Sequence, residues 1–188
     1  TAKAQRGDLL EIGHRGDLAR RMAVEGEERV VTVHSAAVVG DPDALPPDAL
    51  AELLRLGHEH FATVLGDPAV FSFWWPRFER IADWLVEQER QQRPGIAHIH
   101  AELEGRIALS IADAAFHLTC RADRVDVLKD GTARIIDYKT GAVPSAREVR
   151  AGLAPQLTLQ AAILARGGFT AVAPMEVSAV SYVKLSGG

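Results

Sequence analysis

Arg121-Ala-Asp-Arg-Val-Asp-Val-Leu-Lys-Asp-Gly-Thr-Ala-Arg-Ile-Ile-Asp-Tyr-Lys139 is the stretch that decides how this chain folds. Apolar and polar residues alternate on both sides of Lys129-Asp130-Gly131, the pattern of two half-buried strands. A three-residue loop with glycine in the left-handed position closes them into a hairpin. Leu128 then faces Thr132, Asp126 faces Arg134, and Asp123 faces Asp137. A two-residue loop would slip the register by one and turn every side chain to the other face.

The two charged pairs carry different meanings. Asp126 opposite Arg134 is an ordinary cross-strand salt bridge. Asp123 opposite Asp137 sets like charges side by side, which destabilises a sheet. Two carboxylates so placed need a raised pKa or a cation between them, and a hard divalent cation with oxygen ligands meets that need. Lys139 lies two residues past Asp137, so strand alternation puts both on one face. Two carboxylates and one ammonium suit metal-assisted hydrolysis. The acids hold Mg²⁺, and the lysine orients or deprotonates water or neutralises charge on a phosphate. The same spacing also reads as a plain solvated hairpin with alternating charges.

Outward from the hairpin, Ser145 and Glu148 form a capping-box pattern that opens a helix over 145–165, ended by Gly167-Gly168. A last strand is expected over 176–185. Upstream, 96–109 alternates as a first strand, where Glu102 and Glu104 read as an exposed face within reach of the acids. Two helices precede it, at 46–66 and 77–93, the second stopped by Pro94-Gly95. Trp74, Trp75 and Trp84 beside them read as core, with base stacking the competing reading. Helices, three strands, a helix and a strand make a mixed α/β layer.

The 188 residues fit one domain, 47% hydrophobic and 24% charged. Residues 1–30, which hold Arg-Gly-Asp-Leu at 6–9 and again at 15–18, read as an irregular lead-in to a single domain over 31–188. No apolar run approaches the ~18 residues of a membrane span, and no signal-peptide block opens the sequence, so a cytoplasmic setting is expected. One cysteine, Cys120, excludes an intrachain disulfide and a four-cysteine zinc or iron–sulfur site within this chain. The net charge of −4 argues against gripping nucleic acid by bulk charge. It divides unevenly, −7 over residues 1–120 and +3 over 121–188.

Ile-Ile-Asp137-Tyr138-Lys139-Thr140-Gly141, with Asp123 fourteen residues before Asp137, resembles the PD-(D/E)XK nucleases of the RecB-like group. The nearest likeness is to the AddB-type C-terminal nuclease domain of bacterial helicase–nuclease complexes that process double-strand breaks. Pro155-Gln156-Leu157 resembles the Gln-centred motif of that group, although its usual tyrosine four residues after the glutamine is Gln160 here. The likeness covers about residues 29–188. It implies a restriction-endonuclease-like core, a mixed central β-sheet flanked by helices, with N-terminal helical additions. It implies a metal-dependent deoxyribonuclease, exonucleolytic in type, using Mg²⁺ or Mn²⁺, with DNA as substrate, a helicase–nuclease subunit as partner, and no iron–sulfur cluster.

Carried over by position, Asp123 and Asp137 become metal ligands, Lys139 the catalytic lysine, and Gln156 the residue that places the scissile phosphate or the lysine. The group's first-helix ligand falls on His34 of Arg29-Val-Val-Thr-Val-His34, or on Glu11 of Arg6-Gly-Asp-Leu-Leu-Glu11. Val30 stands where the group has glycine, and the β-branched run after it opens a helix poorly. A second reading follows from that: a catalytically impaired nuclease-like fold that binds DNA or a partner protein.

Overall fold

The computed structural model describes residues 45–64, 68–111 and 114–185. His34, Glu11 and the lead-in over 1–30 lie outside the described residues. Helix α1 (Ala49–Val64) and helix α2 (Pro68–Gln92) come first, and a 3₁₀ turn (Arg93–Gly95) leads into the sheet. Strands β1 (Ile96–Ile111), β2 (Ala114–Leu128) and β3 (Ala133–Lys139) follow as an antiparallel meander. Helices α3 (Ala146–Arg150) and α4 (Gln156–Ala165) then cross over to β4 (Val177–Lys184), which runs parallel to β3. The strand order is β1-β2-β3-β4, a mixed sheet flanked by helices, as the sequence predicts.

Strand alternation sorts the core into two layers. Ile136 and Tyr138 pack with Leu53, Phe61, Phe78, Ile81 and Leu85 of α1 and α2. Ala133 and Ile135 pack with Leu157, Ile163 and Leu164 of α4. β3 is therefore buried on both faces, which explains the consecutive Ile135 and Ile136 where a one-sided strand would alternate. Asp137 shares the parity of Ala133 and Ile135 and so belongs to the α4 face.

Two helix boundaries depart from the sequence expectation. α2 begins at Pro68 rather than near 77, and Pro76 lies inside it. Burial of its apolar stripe against α1 outweighs the one hydrogen bond that a proline removes. The helix expected over 145–165 is two helices. Gly152 in the left-handed region (φ 74°) and Pro155 at the N-cap of α4 end one and begin the next. The capping box is as expected: Ser145 Oγ accepts the Glu148 N–H, and Glu148 Oε2 accepts the Ser145 N–H at 2.8 Å.

α1 and α2 meet at Gly57. A Cβ there would run into the ring of Phe78, itself 2% exposed. Gly57→Ala is therefore expected to destabilise the domain by about 1–3 kcal/mol through overpacking, despite alanine's better helix propensity. Denaturant titration measures this, and a stabilised variant would show that α1 slides freely on α2.

Candidate active site

The hairpin loop forms as its sequence requires. Gly131 takes φ 86°, and Leu128 and Thr132 face each other through the Leu128 N–H to Thr132 O bond at 2.8 Å. The register follows: Val127 pairs Ala133, Asp126 pairs Arg134, and Arg124 pairs Ile136. The next level would set Asp123 against Asp137, and there the backbone ladder stops. Asp123 makes the rung with its side chain instead, Oδ2 accepting the Tyr138 N–H at 2.9 Å. A carboxylate inserted between two backbones keeps the strands apart and opens the sheet at this point.

Asp137 is 1% exposed and Lys139 half-buried. Lys139 Nζ lies 2.7 Å from Asp137 Oδ2. Gln156, the first residue of α4, joins the two. Its Nε2 donates to Asp137 Oδ1 in a short hydrogen bond, and its Oε1 accepts from Lys139 Nζ at 3.3 Å. Four residues on, Gln160 is buried and donates to the Arg121 carbonyl at 3.0 Å, which braces β2 beside Asp123. The structure thus brings Asp123, Asp137, Lys139 and Gln156 to one place.

One contact was not foreseen from sequence. Tyr182 of β4 pairs in register with Asp137, and its ring centroid lies 5.8 Å from Lys139 Nζ. Only the parallel register of a strand forty-five residues downstream reveals this, and no local pattern encodes it. Glu102 lies within reach of the acids, as the strand reading allows. The pairs Ala101–Arg124 and Leu103–Ala122 bring it level with Asp123, it takes φ 54°, and it forms an ion pair with Arg121. Glu104 is exposed, as the strand reading expects.

The Asp126–Arg134 pair forms as expected and is more than an ordinary cross-strand salt bridge. Asp126 is fully buried, bound by Arg134 Nη2 and by Arg124 Nε, each at 2.6 Å. Arg124 also pairs with Glu89 of α2. This network lies on the opposite face of the sheet and ties α2 to the hairpin behind the acids. Of the tryptophans, Trp74 and Trp75 pack on the core, whereas Trp84 is 44% exposed.

Burial, followed by the charge of Asp137, pushes the Asp123 carboxyl up to about 6. Folding therefore raises this pKa above its unfolded value near 3.8. The folded state holds the proton more tightly, so the contribution of Asp123 to metal-free stability falls as pH rises from about 4 to about 6, then levels. The expected loss is roughly 2–3 kcal/mol. Urea melts of the parent against Asp123→Asn across that range check the sign, and a difference that moves in the parent's favour as pH rises would place Asp123 in a solvated setting.

The donor chemistry fits a hard divalent cation: two crowded carboxylates supply oxygen ligands and an electrostatic reason to take one. Among the described residues, no three His, Cys, Asp or Glu side chains form a cation-binding group, so two acids are the donors at hand. No helix among the described residues is long and apolar enough to cross a membrane.

The family model for the PD-(D/E)XK nuclease superfamily matches residues 29–187. An uncharacterized protein of Rickettsia typhi is 29% identical over 142 residues, covering 73% of this chain and 16% of its own length. An uncharacterized protein of Rickettsia conorii is 34% identical over 118 residues, covering 63% of this chain and 14% of its own length. The chain thus spans about one sixth of the length of the curated relatives it matches.

Proposed function

Because this chain belongs to the PD-(D/E)XK nuclease superfamily, we propose that it is a Mg²⁺-dependent nuclease module that hydrolyses DNA phosphodiesters. One observation carries the reading: Gln156 ties Asp137 to Lys139 beside an Asp123 that props the strands apart. A solvated hairpin with alternating charges has no reason to bury Asp137 or to aim a helix-borne amide at it.

Asp123 and Asp137 would hold the cation, with His34 or Glu11 as a third ligand. When bound, the cation supplies charge neutralisation and a more acidic water. Asp123 is aligned by the Tyr138 N–H, so its carboxylate enters the site from β2 in a fixed pose. Asp137 faces it from β3 and holds Lys139 by charge. Gln156 ties both to the N-terminus of α4. Lys139 places its ammonium where negative charge develops on the phosphate, or gives up a proton to become a base.

The likeness to AddB-type domains supports an exodeoxyribonuclease that works in double-strand break repair beside a helicase–nuclease subunit. The relatives' greater length gives room for such partners in the whole protein. The test is direct. The purified chain, given linear DNA with Mg²⁺ or Mn²⁺, is expected to release acid-soluble nucleotides, and EDTA should stop the release. A folded chain that binds Mn²⁺ yet cleaves no DNA would overturn the catalytic reading in favour of a binding module.

A further inference from the structure

The acids and the lysine explain a scissile phosphate but not what holds the polynucleotide beside it. β4 supplies the next row of side chains. In its parallel register Asp137 pairs Tyr182, and Lys139 pairs Lys184. Directly paired residues point to the same face, so Tyr182 and Lys184 stand beside the site on the α4 side.

Two ammonium groups side by side on neighbouring strands repel each other. Lys139 has Asp137 to offset its charge, whereas Lys184 is exposed and forms no ion pair among the described residues. An anion placed against Lys184 would relieve that repulsion. Tyr182 is half-buried, and its hydroxyl meets the Leu157 N–H, one of the unpaired donors in the first turn of α4. Lys139 Nζ lies against its ring.

We infer that Tyr182 and Lys184 form a subsite for single-stranded polynucleotide, where Lys184 binds the phosphate next to the scissile one and Tyr182 stacks on the adjoining base or sugar. A ring can stack only on an unpaired base, so the subsite selects a single strand over a duplex. The inference rests on the nuclease reading for the position of the scissile bond, but its test does not require cleavage.

Binding of a fluorescein-labelled oligothymidylate of about 16 nucleotides is followed by anisotropy in EDTA at several salt concentrations. Lys184→Ala is expected to weaken binding several-fold and to reduce the slope of log affinity against log salt by about 0.7, one phosphate contact on a single strand. Tyr182→Leu should weaken binding by roughly 5- to 100-fold with the slope unchanged, the range for one lost stacking contact. Tyr182→Phe keeps the ring and should bind as the parent does, which separates stacking from misfolding.

The subsite is overturned if the parent binds no oligonucleotide, or if Lys184→Ala keeps both slope and affinity. It is equally overturned if Tyr182→Leu matches Tyr182→Phe. Because EDTA removes hydrolysis, these dependences hold even if the DNA-degradation test fails, and they fail independently if it succeeds.

Discussion

Asp137→Asn is expected to lower Mg²⁺-dependent DNA hydrolysis by at least about 10²- to 10³-fold while the protein stays folded. That is the loss seen when one charged or donor group is taken from a preorganised site. Asparagine keeps the shape, and its carbonyl still accepts from Gln156 Nε2. It loses the charge that holds Lys139 at 2.7 Å and one of the two carboxylates facing the opened ladder. Lys139→Met should lose a similar factor for a different reason, since the group set against the phosphate disappears while both acids remain. Metal binding separates the two variants. Mn²⁺ titration by calorimetry should show weaker binding for Asp137→Asn and undiminished or tighter binding for Lys139→Met, which removes a competing ammonium. Initial rates within about threefold of the parent in both variants would move the chemistry away from this hairpin.

Much of this site is legible in the sequence because a hairpin is a local object. Gly131 fixes the loop, the loop fixes the register, and the register brings Asp123 level with Asp137 without any knowledge of the rest of the fold. The capping box at Ser145 is legible for the same reason, since its partners lie three residues apart. Pro76 misleads, because its local penalty is overridden by packing of the helix that contains it. The break at Gly152 is missed, because an apolar pattern runs on through 149–164 with Val149, Leu153 and Leu157 in helical step. The role of Tyr182 cannot be read locally at all. It depends on β4 adding in parallel to β3 after a two-helix crossover, and on a one-residue register that no neighbouring residue encodes. Arg124 and Asp126 show the reverse problem. The pairing of Asp126 with Arg134 is correct, but its burial depends on α2 closing over that face with Glu89.

That burial sets the largest stability effect expected in the domain. Asp126→Asn should destabilise it by about 3–5 kcal/mol, the range for removing one partner of a buried ion pair. Asp126 binds Arg124 and Arg134, and Glu89 binds Arg93 and Arg124. Without Asp126, Arg134 loses its carboxylate at 2.6 Å, and Arg124, only 2% exposed, loses one of the two acids that bind it. Arg124→Met is expected to be milder, because Glu89 keeps Arg93 and Asp126 keeps Arg134, so the remaining charges balance in pairs. A simple count of lost hydrogen bonds predicts the opposite order, since Arg124 bonds to both acids and reaches the Tyr138 hydroxyl at 3.4 Å. Thermal melts distinguish the two accounts. Asp126→Asn should lower Tm by on the order of 10 °C, and Arg124→Met by clearly less. If Arg124→Met proves the worse, the network is held by bond geometry rather than by charge balance. Either result bears on the face that carries Asp123 and Asp137, because the network clamps β2 and β3 directly behind the rung where Asp123 takes the Tyr138 N–H.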